Sequence, residues 1–350
     1  MFQNSKLIKT FQLLSPQEQN ALKNWLDSPW CNSNKKLSPF YQLIIKHNNK
    51  FTSSRFSDEK LFFKLFNNKV FNKQLLSNLK YEFVKQIEKF LVFEQLKKEK
   101  DCQKKLLSRS YLAKNNFDKY QKNTRLIIDS KLNKQLKEWN DYLDLTLLYE
   151  SLFFLPTDKV FHKPLVKDLL AVEENLELFY ALGKFRINLA KTLDPRIEHK
   201  NFNFKQLQQL RNNNQHPAIE LYYLRITRPK KWGYSHFLKF KSALLNSFAS
   251  LSLKDQQLLL LSAINDTVVL YSKKELCANQ DMHELYDFGF KNKTLVFNNR
   301  ITGTAFANMI SISIKLGKDD YVKKFIKNYT KNLPEEFQQE ANVWAKAQIL

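Results

Sequence analysis

The amino-acid sequence predicts an all-α protein in which an N-terminal bundle of short helices continues into stacked antiparallel helix pairs, as in α-solenoids and tetratricopeptide-like proteins. Only 5 of the 350 residues are glycine, which disfavours the hairpin turns, nucleotide-binding loops and catalytic elbows that need positive φ angles. Apolar residues recur at intervals of three and four, and no segment alternates strictly between apolar and polar residues. The 9 prolines fall at the ends of these periodic segments, where helices begin or stop.

The N-terminal region, residues 1–100, is expected to form the helical bundle. Three Ser-Pro pairs between residues 15 and 39 each provide an N-cap residue and a proline suited to the first helical position. Glu18 has the spacing of a capping box with Ser15. Helices are predicted over 5–14, 16–27, 38–48, 58–66 and 73–98.

Residues 101–350 are expected to form a helical-repeat-like region. Two segments, Tyr111 to Asp118 and Ile314 to Tyr321, look like the joint between the two helices of a tetratricopeptide repeat, and Gly317 suits a left-handed helix end. A full repeat consensus with a period of about 34 residues is absent, so ordinary αα-hairpins remain the alternative. Further helices are predicted over 105–115, 117–135, 138–153, 166–191, 202–212, 217–227, 235–249, 253–272, 302–316, 318–331 and 335–347.

Short motifs occur near both ends of the chain. They are Ser28-Pro-Trp-Cys-Asn32, Leu61-Phe-Phe-Lys-Leu-Phe66, Phe71-Asn72 and Leu79, and later Phe306-Ala-Asn308, Gly317, Phe325-Ile326 and Leu333-Pro334. These segments resemble an uncharacterised bacterial family of long α-helical, tetratricopeptide-like proteins, whereas the middle of the chain shows little match. The resemblance implies helical repeats and no catalytic activity.

The chain is strongly basic, with 57 Lys and Arg against 34 Asp and Glu and a net charge of +23. Only 9 of the cations are Arg, and the 48 Lys, 33 Asn and 29 Phe are the residues that AT-rich codons supply. Codon bias can therefore account for part of the positive charge without selection for binding a ligand. Its distribution is uneven, since residues 1–100 carry +10, 101–200 carry +4 and 201–350 carry +9.

Several features of the sequence favour a cytoplasmic protein. Cys31, Cys102 and Cys277 are far apart in the sequence and no two of them have CxxC spacing, which suggests that the thiols are reduced. The first residues contain no apolar core of signal-peptide length. No apolar stretch reaches the roughly 18 residues that span a bilayer, so no membrane span is expected.

The strongest local feature is the segment 199–254, which is rich in cations and contains Glu220 as its only acid. Cations that neutralise phosphates and rings that stack on bases are typical of single-strand binding. In the alternative interpretation, Trp232 and Phe237 anchor a connector in the core and the lysines are solvated. The candidate residues for binding a partner or a nucleic acid are Arg225, Arg228, Lys230, Lys231, Trp232, Tyr234, Lys239 and Lys241.

No catalytic set, metal site or cofactor is predicted. The best local cluster of possible metal ligands has two i,i+4 pairs on different faces of one helix, so we interpret it as a solvated, mixed-charge helix. Its members are Cys277, Asp281, His283, Glu284 and Asp287.

A second group of acids, Glu173, Glu174 and Glu177, could be read as paired carboxylates. We interpret them as the solvent-exposed face of a helix whose other face is predicted to bury Leu169, Leu170, Val172, Leu176 and Phe179. Because no nucleophile, base or nucleotide-binding motif accompanies them, an enzyme is not predicted.

These observations favour a non-catalytic helical-repeat scaffold that binds a protein or peptide, and the positive charge favours an acidic one. The alternative is a nucleic-acid-binding protein that uses the basic and aromatic residues of 225–241. Residues 341–350 are apolar and helical in pattern, so the C-terminal helix is a candidate for pairing with a second copy of the chain.

Overall fold

The computed structural model describes residues 5–46, 57–66, 70–155, 165–193, 196, 202–275 and 277–347. These residues form seventeen α-helices, and none of them lies in a β-strand, which confirms the predicted all-α class. The helices are α1 (Lys6–Phe11), α2 (Pro16–Asp27), α3 (Leu37–Lys46), α4 (Asp58–Phe66), α5 (Lys73–Lys98), α6 (Lys100–Ala113), α7 (Phe117–Leu132), α8 (Trp139–Phe153), α9 (Val166–Leu193), α10 (Phe204–Asn213), α11 (Pro217–Ile226), α12 (Tyr234–Ser247), α13 (Leu253–Ser272), α14 (Ala278–Lys291), α15 (Gly303–Lys315), α16 (Asp319–Tyr329) and α17 (Glu335–Ala347).

The chain divides into two compact units, Met1–Asn123 and Thr124–Leu350. The predicted boundary lay near residue 100, whereas the observed division places α6 and the first turns of α7 in the N-terminal unit. Helix α6 packs against α5 of this unit, and hydrogen bonds join α6 to the first turns of α7. The Asn123 side-chain amide donates to the Lys104 carbonyl oxygen at 2.9 Å and to Ser108 Oγ at 2.7 Å.

The N-terminal unit is built around α5, against which α1, α2 and α4 pack. Phe83 of α5 is fully buried and contacts Phe40 and Phe11, with ring centroids 5.2 and 6.5 Å away. The predicted capping box of Ser15 and Glu18 is present at the start of α2. The pair Ser28-Pro29, in contrast, does not begin a helix, because the Ser28 carbonyl accepts hydrogen bonds from the amides of Cys31 and Asn32 in a turn.

In the C-terminal unit each helix from α8 to α15 packs against the next one along the chain. Contacts with the next helix but one also occur, between α9 and α11 and between α11 and α13. Helices α8 and α9 pack closely at Gly183, where a Cβ would lie 3.0 Å from the Trp139 ring. The Trp139 indole donates to the Phe179 carbonyl oxygen at 2.7 Å and stacks on the Phe179 ring.

Both predicted helix joints have the same backbone geometry. α6 is followed by Asn115 with a φ of 53°, and α15 is followed by Gly317 with a φ of 67°. In each joint two amides donate back to the last turn, from Asn115 and Asn116 to Leu112 and Tyr111, and from Gly317 and Lys318 to Ile314 and Ser313. This is the Schellman pattern of helix termination, and the expected role of Gly317 is confirmed.

The predicted buried face of α9 is wrong for part of the helix. Leu169, Leu170 and Leu176 are exposed, while Asp168 and Asn175 are buried. Asp168 turns inward because it pairs with Arg125 of α7. The first half of α9 therefore has an exposed apolar face, and its side toward α7 carries the ion-paired Asp168.

Candidate partner-binding site

The candidate binding residues lie on α11, on α12 and on the connector 227–233 between them. α11 begins at Pro217, and the preceding His216 acts as its N-cap by accepting a hydrogen bond from the Ala218 amide at 3.2 Å. Helical spacing places Arg225 on the same face as Leu221, and both are buried. Arg225, a cation in the last turn of α11, is thus buried in the protein interior.

Asp266 of α13 holds both arginines of the site. Its two carboxylate oxygens accept hydrogen bonds from Arg225 Nη2 at 2.7 Å and from Arg228 Nη1 at 2.6 Å. Asp266 and Arg225 are almost completely buried. Burial lowers the pKa of Arg225 to about 10 against the attraction of Asp266, and burial likewise raises the pKa of Asp266. Neither arginine presents a fully free charge.

Trp232 is covered by cations of its own chain. The Arg228 guanidinium lies 3.8 Å from the centre of the indole ring, and Lys273 Nζ lies 4.7 Å from it. Lys273 Nζ also donates to the Trp232 carbonyl oxygen at 3.1 Å. These contacts hold the ring in place by cation–π attraction and occupy surface that a stacked base would need.

Lys241 and Tyr234 of α12 are tied to acids of α14. Lys241 Nζ lies 2.7 Å from Asp281 Oδ1 and 2.5 Å from Glu284 Oε2, and the Tyr234 hydroxyl donates to Asp281 Oδ2 at 2.8 Å. Burial lowers the pKa of Lys241, but hydrogen bonds and attraction from both acids outweigh it and raise that pKa overall. The predicted patch thus separates into two groups. One group has interaction partners within the fold and consists of Arg225, Arg228, Trp232, Tyr234 and Lys241. The other group is exposed and consists of Lys230, Lys231 and Lys239.

A groove of about 520 Å³ lies between α10, α11 and α12. Apolar and aromatic side chains form much of its lining, and the charged groups at its edge are Arg211, Glu220 and Lys239. Of the predicted residues, only Lys239 belongs to it. The described residues that line the groove are Arg211, Pro217, Glu220, Leu221, Tyr223, Leu224, Thr227, Lys239, Ala243 and Ser247.

The edge of this groove is ordered by one ion pair. Arg211 Nη2 lies 2.8 Å from Glu220 Oε2, and the Arg211 guanidinium lies 4.6 Å from the centre of the Tyr223 ring. Because Glu220 neutralises Arg211, the edge carries a net charge of +1 from the exposed Lys239. The arrangement offers an apolar surface with a cationic border.

The acidic clusters found in the sequence have other roles. The interpretation of 277–287 as a solvated helix is wrong, because Asp281 and His283 of α14 are buried. His283 Nδ1 lies 3.3 Å from Lys318 Nζ, and Asp287 accepts a hydrogen bond from the Tyr321 hydroxyl at 2.8 Å. Among the residues that the structure describes, no three His, Cys, Asp or Glu side chains are arranged to hold a metal ion.

Comparison of the chain with protein families, curated proteins and solved structures gave no match. The resemblance to a bacterial helical family therefore stays an expectation. Within the described ranges, no helix combines the length and the apolar character that crossing a bilayer requires.

Proposed function

We propose that the protein is a non-catalytic helical-repeat scaffold that binds an acidic segment of a protein partner in the groove between α10, α11 and α12. The groove itself is the observation that carries this proposal. It joins apolar side chains such as Leu224 and Ala243 to the exposed cation of Lys239. Grooves between helices that combine apolar contact with a few charged groups are typical sites of peptide recognition.

The packing order of the C-terminal unit supports a repeat-like scaffold. Helices α8 to α16 pack consecutively along the chain, and α15 is joined to α16 through a tight Schellman turn at Gly317. Stacked helix pairs of this kind expose long grooves between neighbouring helices. A solenoid arrangement is therefore part of the proposal.

Charge favours an acidic partner over a neutral one. The chain carries +23, and such a field attracts acidic proteins over distances of about one Debye length. At the groove, Lys239 provides the local contact, while apolar residues supply most of the contact area. We expect a segment with one or two apolar side chains flanked by Asp or Glu.

Nucleic-acid binding has less support from the same geometry. Arg225, Arg228 and Lys241 are paired with buried acids, and cations cover Trp232. The exposed Lys230 and Lys231 keep the alternative testable. Binding of a single-stranded oligonucleotide at about 50 mM salt, weakening steeply as salt rises, would favour it.

The test is a selection of random peptides on the full-length chain, followed by affinity measurements on the enriched sequences. We expect acidic peptides with apolar residues, and we expect Ala243→Trp to weaken their binding at least about tenfold because the indole fills the groove. The same substitution at the exposed neighbour Ser242, which does not line the groove, is the matched control.

Two outcomes would contradict the proposal. One is enrichment of basic or uncharged peptides only. The other is equal weakening by Ala243→Trp and Ser242→Trp, which would place the peptides elsewhere on the chain. Circular dichroism and thermal melts of both variants show whether the fold is retained.

We extend the proposal to a cytoplasmic location and to pairing of two copies. Cys31, Cys102 and Cys277 are far apart in the sequence and lack CxxC spacing, which favours a reducing compartment. On α17, Phe337 and Val343 are exposed apolar side chains, which supports a helix that pairs with another copy. Light scattering of the Phe337→Ser variant beside the wild type tests the pairing.

A further inference from the structure

A small polar cavity of about 140 Å³ lies beside the α11–α12 connector, apart from the proposed peptide groove. The last turns of α9 and α11 and the connector itself form its walls. The described residues that line it are Thr192, Arg225, Ile226, Arg228, Pro229, Lys230 and Trp232. Three of these are cations, and none is acidic.

The charge in and around the cavity is positive. Arg225, Arg228 and Lys230 contribute three positive charges, and Asp266 behind the arginines removes one. The C-terminal ends of α9 and α11 together contribute about one further negative charge, at about half a charge each. An excess of about one positive charge remains, to which Lys273 at the Trp232 ring adds another.

The cations of the cavity are held in position before any ligand arrives. Asp266 fixes one side of each guanidinium, and Arg228 is further fixed against the Trp232 ring. The Arg225 side chain is 3% exposed, and its Nε has no hydrogen-bond partner. A buried guanidinium nitrogen without an acceptor is costly, and the negative potential of an anion next to Arg225 offsets part of that cost.

The size of the cavity suits one tetrahedral oxyanion. A phosphate group displaces on the order of three waters, each with a share of about 30 Å³ in the liquid, and so fits within the 140 Å³ available. The volume is too small for a peptide segment. Arginines presented by a carboxylate are well suited to phosphate because the guanidinium fork matches its oxygens.

We propose that the cavity lined by Arg225, Arg228 and Lys230 binds the phosphate group of a phosphate monoester. The Trp232 edge and Pro229 form the apolar border beside which the rest of the ligand leaves the cavity. This site is separate from the α10–α12 groove and does not depend on the peptide function proposed for it.

The experiment measures the melting temperature of the full-length chain against inorganic phosphate, with chloride keeping the ionic strength constant. Ligand that binds the folded state raises the melting temperature according to its concentration and Kd. Lys230→Gln should require at least about fivefold more phosphate for the same rise, since it removes one unpaired charge from the cavity. Lys231→Gln is the matched control, because Lys231 is exposed next to Lys230 but does not line the cavity.

Separate titrations with O-phosphoserine, adenosine monophosphate and a thymidine oligonucleotide identify the source of the phosphate. Stronger binding of either monoester than of the oligonucleotide supports the proposal, and the preferred monoester identifies the ligand class. The absence of any rise with phosphate above that with chloride overturns it. Equal effects of Lys230→Gln and Lys231→Gln also overturn it, because they indicate diffuse attraction to surface charge.

Discussion

At the scale of single residues, buried carboxylates determine which cations remain free for a partner. Asp266 forms ion pairs with Arg225 and Arg228, and Asp281 forms an ion pair with Lys241. Residue types and spacing identified these cations but not their partners, because the acids lie about 40 residues further along the chain on other helices. The spacing of residues within one helix cannot predict an ion pair with a residue on another helix.

Removing Asp266 should destabilise the fold strongly. In Asp266→Asn the buried Arg225 loses its counter-charge, so we expect the free energy of unfolding to fall by about 3 kcal/mol. Urea denaturation measures the change. The exposed pair of Arg211 and Glu220 is the control, because Glu220→Gln should cost less than about 1 kcal/mol. Similar losses in the two variants would show that Asp266 is not the required counter-ion.

Asp141 should make stability depend on pH at the acidic end. Burial raises its pKa, but hydrogen bonds from Lys134, Lys131 and the Glu138 amide outweigh burial and lower the pKa from 3.8 to about 2. A carboxyl whose pKa is lowered by folding stabilises the folded state above the unfolded pKa, and this contribution disappears as pH falls through the folded value.

The stability difference between the wild type and Asp141→Asn should therefore shrink by about 2 kcal/mol as pH falls from about 4.5 to 2. Chemical denaturation at several pH values gives the two curves. A difference that stays constant over this interval would mean that Asp141 does not titrate with a lowered pKa in the folded chain.

At the scale of helices, five helices have both ends predicted from the sequence, whereas some of the buried faces were not predictable. Helices 16–27, 58–66, 73–98, 253–272 and 335–347 have both ends as predicted. Local chemistry sets such ends, as the capping box of Ser15 illustrates. The inward side of a helix depends on its neighbours, so Arg125 could turn Asp168 of α9 inward against the apolar pattern. The buried Asp281 and His283 of α14 escape prediction from the sequence for the same reason.

Helix ends also explain how a chain with 5 glycines forms left-handed turns. Lys274 and Lys293 follow α13 and α14 with φ angles of 63° and 59°. At both positions the backbone amides close the Schellman pattern, for example from Thr294 to the Gly289 carbonyl at 2.9 Å. Side chains with a Cβ are strained there, so the chain accepts a cost of about 1 kcal/mol at each.

Glycine should relieve this strain. We expect Lys274→Gly and Lys293→Gly each to raise the free energy of unfolding by about 0.5–1 kcal/mol, after the greater entropy of the unfolded chain is included. Lys273→Gly is the control, since Lys273 has a φ of −86° and glycine there should be neutral or destabilising. Destabilisation by all three variants would contradict the assigned strain.

At the scale of the whole molecule, the described residues form two separate apolar cores. One core runs from Leu7 to Phe90, and the other from Tyr142 to Ala345. Composition and periodicity predicted an N-terminal bundle followed by a longer helical region. The division between Asn123 and Thr124 was not visible in the sequence, because α7 spans it without a proline, a glycine or a change in composition.

The two cores should respond separately to cavities. Phe83→Ala and Phe185→Ala each remove a fully buried ring and should cost about 3–5 kcal/mol in their own unit. Hydrogen exchange of the full-length chain should show faster exchange in 5–123 for the first variant and in 124–347 for the second. Equal acceleration across both units by either variant would indicate one cooperative core.

We propose that an acidic segment binds the groove between α10, α11 and α12, with the exposed Lys239 of its lining as the charged contact. The most direct measurement is a charge exchange between the two partners. Lys239→Glu should weaken a selected acidic peptide at least about tenfold, and a peptide with Lys in place of one acidic residue should recover most of the loss. Equal affinity of the wild type and Lys239→Glu for the acidic peptide, or no recovery with any exchanged peptide, would contradict the claim.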